Sequence, residues 1–263
     1  MKIYIITDLE GVSGVVTFDD TGRDTNMSGP RYEAARLLLT EDVNAAVQGA
    51  IDGGATEILV NDGHGGGSNF VMEKLHPGAK YFTGCGRVSV LDGFDESTDA
   101  VMLVGYHAMS GTRKAVLDHT QSSTSWRRYF INGVETGEIG QMAVMAGHFN
   151  VPVICVTGDL AATVEAKAFL GDVETVAVKE GQGRTSAICL APLKARELIR
   201  AGVKRALGKI GKIKPYKIKI PAEIKLECAT TDVADGFERG GSERLDAFTV
   251  RRIAMSALDV LKI

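Results

Sequence analysis

The chain has 263 residues, 44% hydrophobic and 24% charged, with 30 Lys/Arg against 33 Asp/Glu for a formal net charge of −3. That length buries most of its apolar surface in one large domain or in a large and a small one, and the composition excludes a disordered, collagenous or low-complexity chain. The charge balance leaves no overall basic field for holding phosphate backbones, and 31 glycines beside few aromatics suit tight backbone turns more than a base-stacking platform.

In chain order, Ile3 to Thr7 is a short apolar strand, and Arg31 to Ile51 comes next with helical spacing up to the breaker Gly53-Gly54. Ile58 to Val60 is the next strand, ended by Asn61-Asp62-Gly63. Ser68 to Leu75 reads as a short helix stopped by Pro77, Lys80 to Phe82 as a weak strand and Ala100 to Val104 as a strongly buried one. Arg127 to Ile131, Asn132-Gly133 and Val134-Glu135 form a hairpin signal, because Asn-Gly supplies the positive φ angles of a type I′ turn. Helix 137–148, strand Val151 to Val156, helix 160–170 and strand Val173 to Val178 continue the alternation. A helix after Pro192, Lys/Ile alternation at 217–220 running on to Cys228, and a last helix over 247–262 complete it. Short apolar strands between helices predict an α/β fold: a three-layer, mostly parallel sheet flanked by helices over residues 1–190, with a smaller C-terminal α+β domain at 191–263.

Residues 191–227 carry eleven Lys/Arg against three acids, which suits a solvated helix and an exposed strand better than a nucleic-acid face. Cys85, Cys155, Cys189 and Cys228 lie 70, 34 and 39 residues apart, without a C-x-x-C pair, and read as reduced thiols. Residues 139–158 form an uncharged run of twenty, but Gln141, Gly147, His148, Asn150 and Pro152 interrupt it, so a buried helix, a turn and a buried strand are expected instead of a membrane span. The expected protein is soluble and cytoplasmic, with neither membrane nor nucleic acid as partner.

The loops at the ends of the apolar strands are the most informative feature. Ile5-Ile6-Thr7 leads into Asp8-Leu9-Glu10-Gly11, Leu59-Val60 into a glycine-rich turn holding His64, and Leu103-Val104 into Gly105-Tyr106-His107. In a parallel sheet these loops leave the same edge, where such folds place their sites. With Glu138 at the start of the helix after the hairpin, the set is three carboxylates and two imidazoles. Such donors suit zinc or another borderline divalent ion, and three negative charges balance two ions better than one. Taken singly, Asp8 could be a turn former, His64 a tolerated loop residue and Glu138 a helix-start residue. His119, in Leu117-Asp118-His119, fits a general base or nucleophile beside such a centre as well as it fits a hydrogen-bonded loop position. His76 and His148 look structural.

Six blocks, Asp8 to Gly14, Val60 to His64, Glu73 to Pro77, Leu103 to Ala108, Phe130 to Asn132 and Gly137 to Gly140, resemble in order those of the DppA-type zinc-dependent D-aminopeptidases. The resemblance spans about residues 1–190, including Val153 to Asp159. It implies two Zn²⁺ per subunit, with Asp8 bridging, Glu10 and His64 completing one ion, and His107 and Glu138 the other, while His119 falls at the catalytic histidine. It also implies removal of an N-terminal D-amino acid, such as D-alanine, from short peptides, and a ring-like homo-oligomer with enclosed sites. Asp118 stands where that pattern has a small polar residue, the 107–119 loop is longer by one, and Thr17 to Gly29 is peculiar to this chain.

Two other readings compete. A phosphohydrolase of the haloacid-dehalogenase kind also ends a strand in Asp-x-Asp-Gly, but Glu10 and Val12 depart from that pattern and His64 and His107 would have no task. A non-catalytic metal- or peptide-binding protein would show the same ligands and differ only at His119.

Overall fold

The computed structural model describes residues 1–22, 27–86 and 89–263; residues 23–26 of the peculiar 17–29 segment lie outside the described residues. The strands β1 (Lys2–Thr7), β2 (Glu57–Asp62), β3 (Lys80–Phe82), β4 (Ala100–Tyr106), β7 (Val153–Asp159), β8 (Glu174–Gly183) and β9 (Ser186–Cys189) form one sheet in the order β3-β2-β1-β4-β7-β8-β9. All neighbours are parallel except β9, which returns antiparallel along β8.

Alternation along β1 divides the core. Ile3 and Ile5 join the residues of α1 (Pro30–Asp52) and α4 (Pro192–Leu207) on one face, while Tyr4 and Ile6 join α2 (Glu138–His148) and α3 (Leu160–Leu170) on the other. Every residue of β4 and β7 is buried, because helices cover both faces. The α/β expectation of a mostly parallel sheet between helical layers is therefore met. Chain progression reverses at the boundary between β1 and β4: β2 and β3 build outward on one side, β7 and β8 on the other. A crevice opens at the carboxyl ends of strands at such a reversal.

A second, antiparallel sheet lies beyond α2 in the order β11-β12-β10-β5-β6, from β5 (Trp126–Ile131), β6 (Val134–Glu135), β10 (Ala222–Cys228), β11 (Glu243–Arg244) and β12 (Thr249–Ala254). The Asn132-Gly133 hairpin forms as expected, with both residues at positive φ. The burial of β10 alternates strictly, so one face packs inward through Ile224 and Leu226 while Glu223, Lys225 and Glu227 face outward. α5 (Thr231–Arg239) is capped by the Thr230 hydroxyl, which accepts from the Val233 amide.

Two predicted helices are absent. Over 247–262 the chain forms β12 instead, since β-branched Thr249 and Val250 pair with β10, and only a 3₁₀ turn at Ala257–Asp259 comes after it. Over 68–75 there is only a 3₁₀ turn at Met72–Lys74. Asn69 is bound there to Asp62 and His64, and these tertiary bonds override local helical spacing. The run 139–158 is a buried helix, a turn and a buried strand, and among the described residues no helix is long and apolar enough to cross a membrane.

Candidate metal centre

Asp8 succeeds β1, His64 succeeds β2, His107 succeeds β4, and Glu138 opens α2, so three strand ends and one helix start converge. Close backbone approach makes this possible. Gly105 has φ +79°, and a Cβ on it would lie 2.2 Å from the Asp8 carbonyl oxygen; one on Gly11 would lie 1.9 Å from that of Tyr106. Larger residues would force the β1 and β4 loops apart. The loops are sewn together by Asp8 N–H donating to the Val104 carbonyl at 2.9 Å and Gly11 N–H to Gly105 at 2.7 Å.

The side chains meet closely. His64 Nε2 lies 3.2 Å from Glu10 Oε1, and His107 Nε2 lies 3.3 Å from Asp8 Oδ2 and 3.4 Å from Glu138 Oε1. His119 stacks on His107 with ring centroids 4.0 Å apart and planes 9° from parallel, and its Nε2 is 3.8 Å from Glu138 Oε1. The intervening loop thus brings the second imidazole directly over the first. Two sets of donor atoms each lie within 4.8 Å of one another: Asp8, Glu10 and His107, and His107, His119 and Glu138.

Hydrogen bonds fix the tautomers. The Nδ1 of His107 and of His119 lie 2.9 and 2.8 Å from the carbonyls of Ala108 and Leu117, which can only accept, so both Nδ1 atoms carry protons. Asn69 does the same for His64 through its Oδ1 at 3.2 Å; its Nδ2 is committed to Asp62 and the His64 carbonyl, which settles the amide orientation. In its neutral form each of these rings turns an Nε2 lone pair toward a carboxylate. Under burial a proton or a metal cation must sit between such groups, and Asp8 Oδ2, Glu10 Oε2 and His107 Nε2 are buried with no hydrogen-bond partner. The donor set fits zinc, and imidazoles held through the far nitrogen are the usual support of such a centre.

In the protein alone these groups perturb one another. Burial, then the Glu10 charge, pushes the Asp8 carboxyl well above the usual range. Burial opposes ionisation of Glu10 too, but His64 outweighs it and holds that carboxyl low, while Glu10 in turn lifts His64 to about 10 against its burial. His107 rises and Glu138 falls by the same mutual attraction, each against burial. Burial and then the His107 charge lower His119, the one imidazole of this group moved toward its neutral form.

The loop carrying His119 is strained: Lys114, Leu117 and Gln121 all have φ between 53° and 60°. Asp159 holds it from β7 by accepting the Val116 amide at 2.9 Å, and Arg184 accepts the Leu117 amide through its carbonyl at 2.8 Å. Asp118 closes the same loop by accepting from the Gly111 amide at 2.7 Å and pairing with Arg184 at 3.2 Å. Gln121 N–H donates to Glu138 Oε1 at 2.7 Å. The cluster floors a cavity of about 500 Å³ with Phe18, Met27 and Met142 on its walls and Gln121 to Thr124 at its polar rim. His76 and His148 lie elsewhere; His76 bonds to Gln48 and the Asn44 side chain.

Sequence reading missed Asn69, Asp159 and Lys179, whose roles come from tertiary contact. Lys179 alone left a trace, as a charged residue directly after the apolar strand Val173 to Val178.

The sequence pattern of the Peptidase M55 family, described as D-aminopeptidase, matches residues 1–263. A D-aminopeptidase of Bacillus subtilis is 39% identical over 217 residues, covering 82% of this chain and 77% of that protein. Among solved structures, the Zn-dependent D-aminopeptidase DppA from Bacillus subtilis, described as a self-compartmentalizing protease, superposes with a TM-score of 0.92 at 33% identity, covering all of this chain and 94% of that one. Neither the phosphohydrolase nor the binding-protein reading gains from them.

Proposed function

The chain belongs to the Peptidase M55 D-aminopeptidase family and is a zinc-dependent aminopeptidase, and from that premise we propose that it uses two Zn²⁺ per subunit to remove an N-terminal D-amino acid, such as D-alanine, from short peptides. Asp8 would lie between the ions, Glu10 and His64 would hold one, and His107 and Glu138 the other. The observation that carries this is the convergence of His64 and His107 Nε2 on three carboxylates, two of them buried and Glu138 half-buried, grouped as Glu10 with His64 and Glu138 with His107, with Asp8 in reach of His107.

When bound, zinc supplies Lewis-acid polarisation of the scissile carbonyl and activation of water near neutral pH. The chain's own residues do the rest. His119, its Nδ1–H fixed on the Leu117 carbonyl, presents Nε2 to the cavity as the base that accepts the water's proton and returns it to the departing amine. A free substrate amine near the second metal would favour N-terminal trimming over internal cleavage. The cavity volume suits a short peptide and little more. By analogy with the self-compartmentalizing relative, the subunits would assemble into a ring-like homo-oligomer.

The test is turnover of a D-alanyl amide beside its L-enantiomer, with zinc content recorded on the same sample. Activity that requires close to two zinc per chain and favours the D-substrate is expected. Full activity in metal-free protein would sink the zinc mechanism, and equal rates on both enantiomers would remove the D-preference.

A further inference from the structure

Lysine is almost never buried without partners, yet Lys179, in the middle of β8 at the last position paired with β7, is only 3% exposed. Its ammonium crosses from β8 to the loop after β1 and donates to the backbone carbonyls of Glu10 at 2.5 Å, Val12 at 2.9 Å and Val15. Three donors meet three carbonyls, so the group is fully satisfied by backbone alone. Among the described residues no carboxylate side chain is within ion-pair distance of it, although the charges of Asp159, Glu10 and Asp42 act on it from nearby. A structural cation serving only the core would be replaceable by an apolar side chain; one that gathers three carbonyls of a single turn dictates the path of that turn.

That turn carries Glu10 and begins two residues after Asp8. Without Lys179, the carbonyls of Glu10, Val12 and Val15 would lose their common donor, and buried carbonyls that lose a donor turn toward another. Other ties of the loop are the Gly11 amide to Gly105, the Val12 amide to Leu9, the Val15 amide to Val12, the Ser13 amide to Asp42 and the Ser13 hydroxyl to the Leu190 carbonyl, and none of them engages the Glu10 carbonyl. On β7, the register partner of Lys179 is Asp159, which anchors the His119 loop, so paired positions on adjacent strands hold the two loops that frame the cavity.

We propose that Lys179 is a positioning residue, which holds the Glu10–Val15 turn so that the Asp8 and Glu10 carboxylates are preorganised for metal. This rests on the ligand reading given above. It acts through the backbone and touches neither substrate nor metal, so its removal changes metal affinity before it changes anything in the chemistry of a loaded site.

The experiment measures zinc affinity by chelator competition, and the rise in Tm on adding zinc, for wild type, Lys179→Met and Val250→Ala. The last truncates a buried side chain of the second sheet and controls for general destabilisation. Lys179→Met is expected to weaken zinc binding about 10- to 100-fold, the range seen when supports of metal ligands are removed, and to shrink the zinc-induced rise in Tm. Val250→Ala is expected to lower the Tm of metal-free protein and leave zinc affinity unchanged within about twofold, as distant sites act independently. Zinc affinity equal to wild type in Lys179→Met overturns the positioning role and leaves the ligand reading intact. A wild type that binds no zinc overturns the ligand reading and this role with it. Should Lys179→Met not fold, Lys179→Gln, a shorter neutral donor, is measured in the same way; if neither folds, the lysine serves the fold and the proposal fails.

Discussion

On the antiparallel sheet, Arg128 reaches Glu135 at 2.7 Å and Arg251 reaches Glu243 at 2.6 Å, all four side chains partly in solvent. At the carboxyl edge of the parallel sheet, Asp8 Oδ2, Glu10 Oε2 and His107 Nε2 are buried without a hydrogen-bond partner. Both regions are rich in ionisable groups. In the first, opposite charges stand across from one another on a wetted face, so each is neutralised and nothing further is required of it. In the second, three carboxylates and three imidazoles are crowded together largely out of water, where a proton or a metal cation must be shared among them. Charge density does not distinguish a site from a surface, whereas pairing and burial do. The basic stretch 191–227 illustrates the same rule: Arg200 is taken up by Asp52 at 2.6 Å, and Arg205 and Lys209 by Glu174 at 2.7 and 3.6 Å.

The strongest way to break the contrast is to remove the carboxylate common to the cluster. Asp8→Ala is expected to abolish bound zinc and activity together, beyond the roughly 10- to 100-fold seen for outer supports of metal ligands; metal analysis beside turnover checks it. Retained zinc with lost activity would mean that Asp8 serves catalysis and not ligation. His119→Ala separates the two roles in the other direction. Among the described residues its Nε2 is within ion-pair distance of the Glu138 carboxylate alone, so zinc content should hold while kcat falls about 10²- to 10⁴-fold, the usual share of a general base. Unchanged turnover would remove the catalytic assignment of His119.

A smaller effect is expected at Asn69, which no sequence pattern marks. Asn69→Ala frees His64 Nδ1 and the Tyr32 hydroxyl while leaving every proposed ligand in place. Zinc affinity should weaken about 10- to 100-fold, and excess zinc should restore turnover. Failure of excess zinc to restore it would place Asn69 in the chemistry.

How legible each feature was depends on the range of the contacts behind it. Asp8, His64 and His107 were visible because a local rule exposes them: an apolar strand that ends in polar residues beside glycine, repeated three times. The shared sheet edge is then a consequence of parallel topology. The tautomers depend on backbone carbonyls of Ala108 and Leu117, and any residue would supply those, so sequence carries no trace of them. Asn69 and Lys179 act across 5 and 169 positions of chain, through contacts that exist only once the sheet is built. The lost helices at 68–75 and 247–262 fail for a related reason. Helical spacing is a local signal, and in both places a non-local partner, Asp62 in one and β10 in the other, offers the backbone a better arrangement.

The least effect is expected where the contrast says charges are already satisfied. Arg128 makes a two-pronged contact with Glu135 at 2.8 and 2.7 Å, lies 3.6 Å from Glu227 and covers the Phe130 ring at 4.9 Å. That geometry is as good as a surface pair can have, yet water competes for every partner, so Arg128→Gln should shift Tm by no more than about 2 °C and leave zinc content and kcat unchanged. The residue is not remote along the chain, because β5 begins directly after the 121–125 turn at the cavity rim, where the Trp126 amide donates to the Ser122 carbonyl at 3.2 Å. A tenfold loss of kcat in Arg128→Gln would therefore have a route, through β5 to Gln121 and its bond to Glu138, and would show that the paired surface of the second sheet tensions the site it borders.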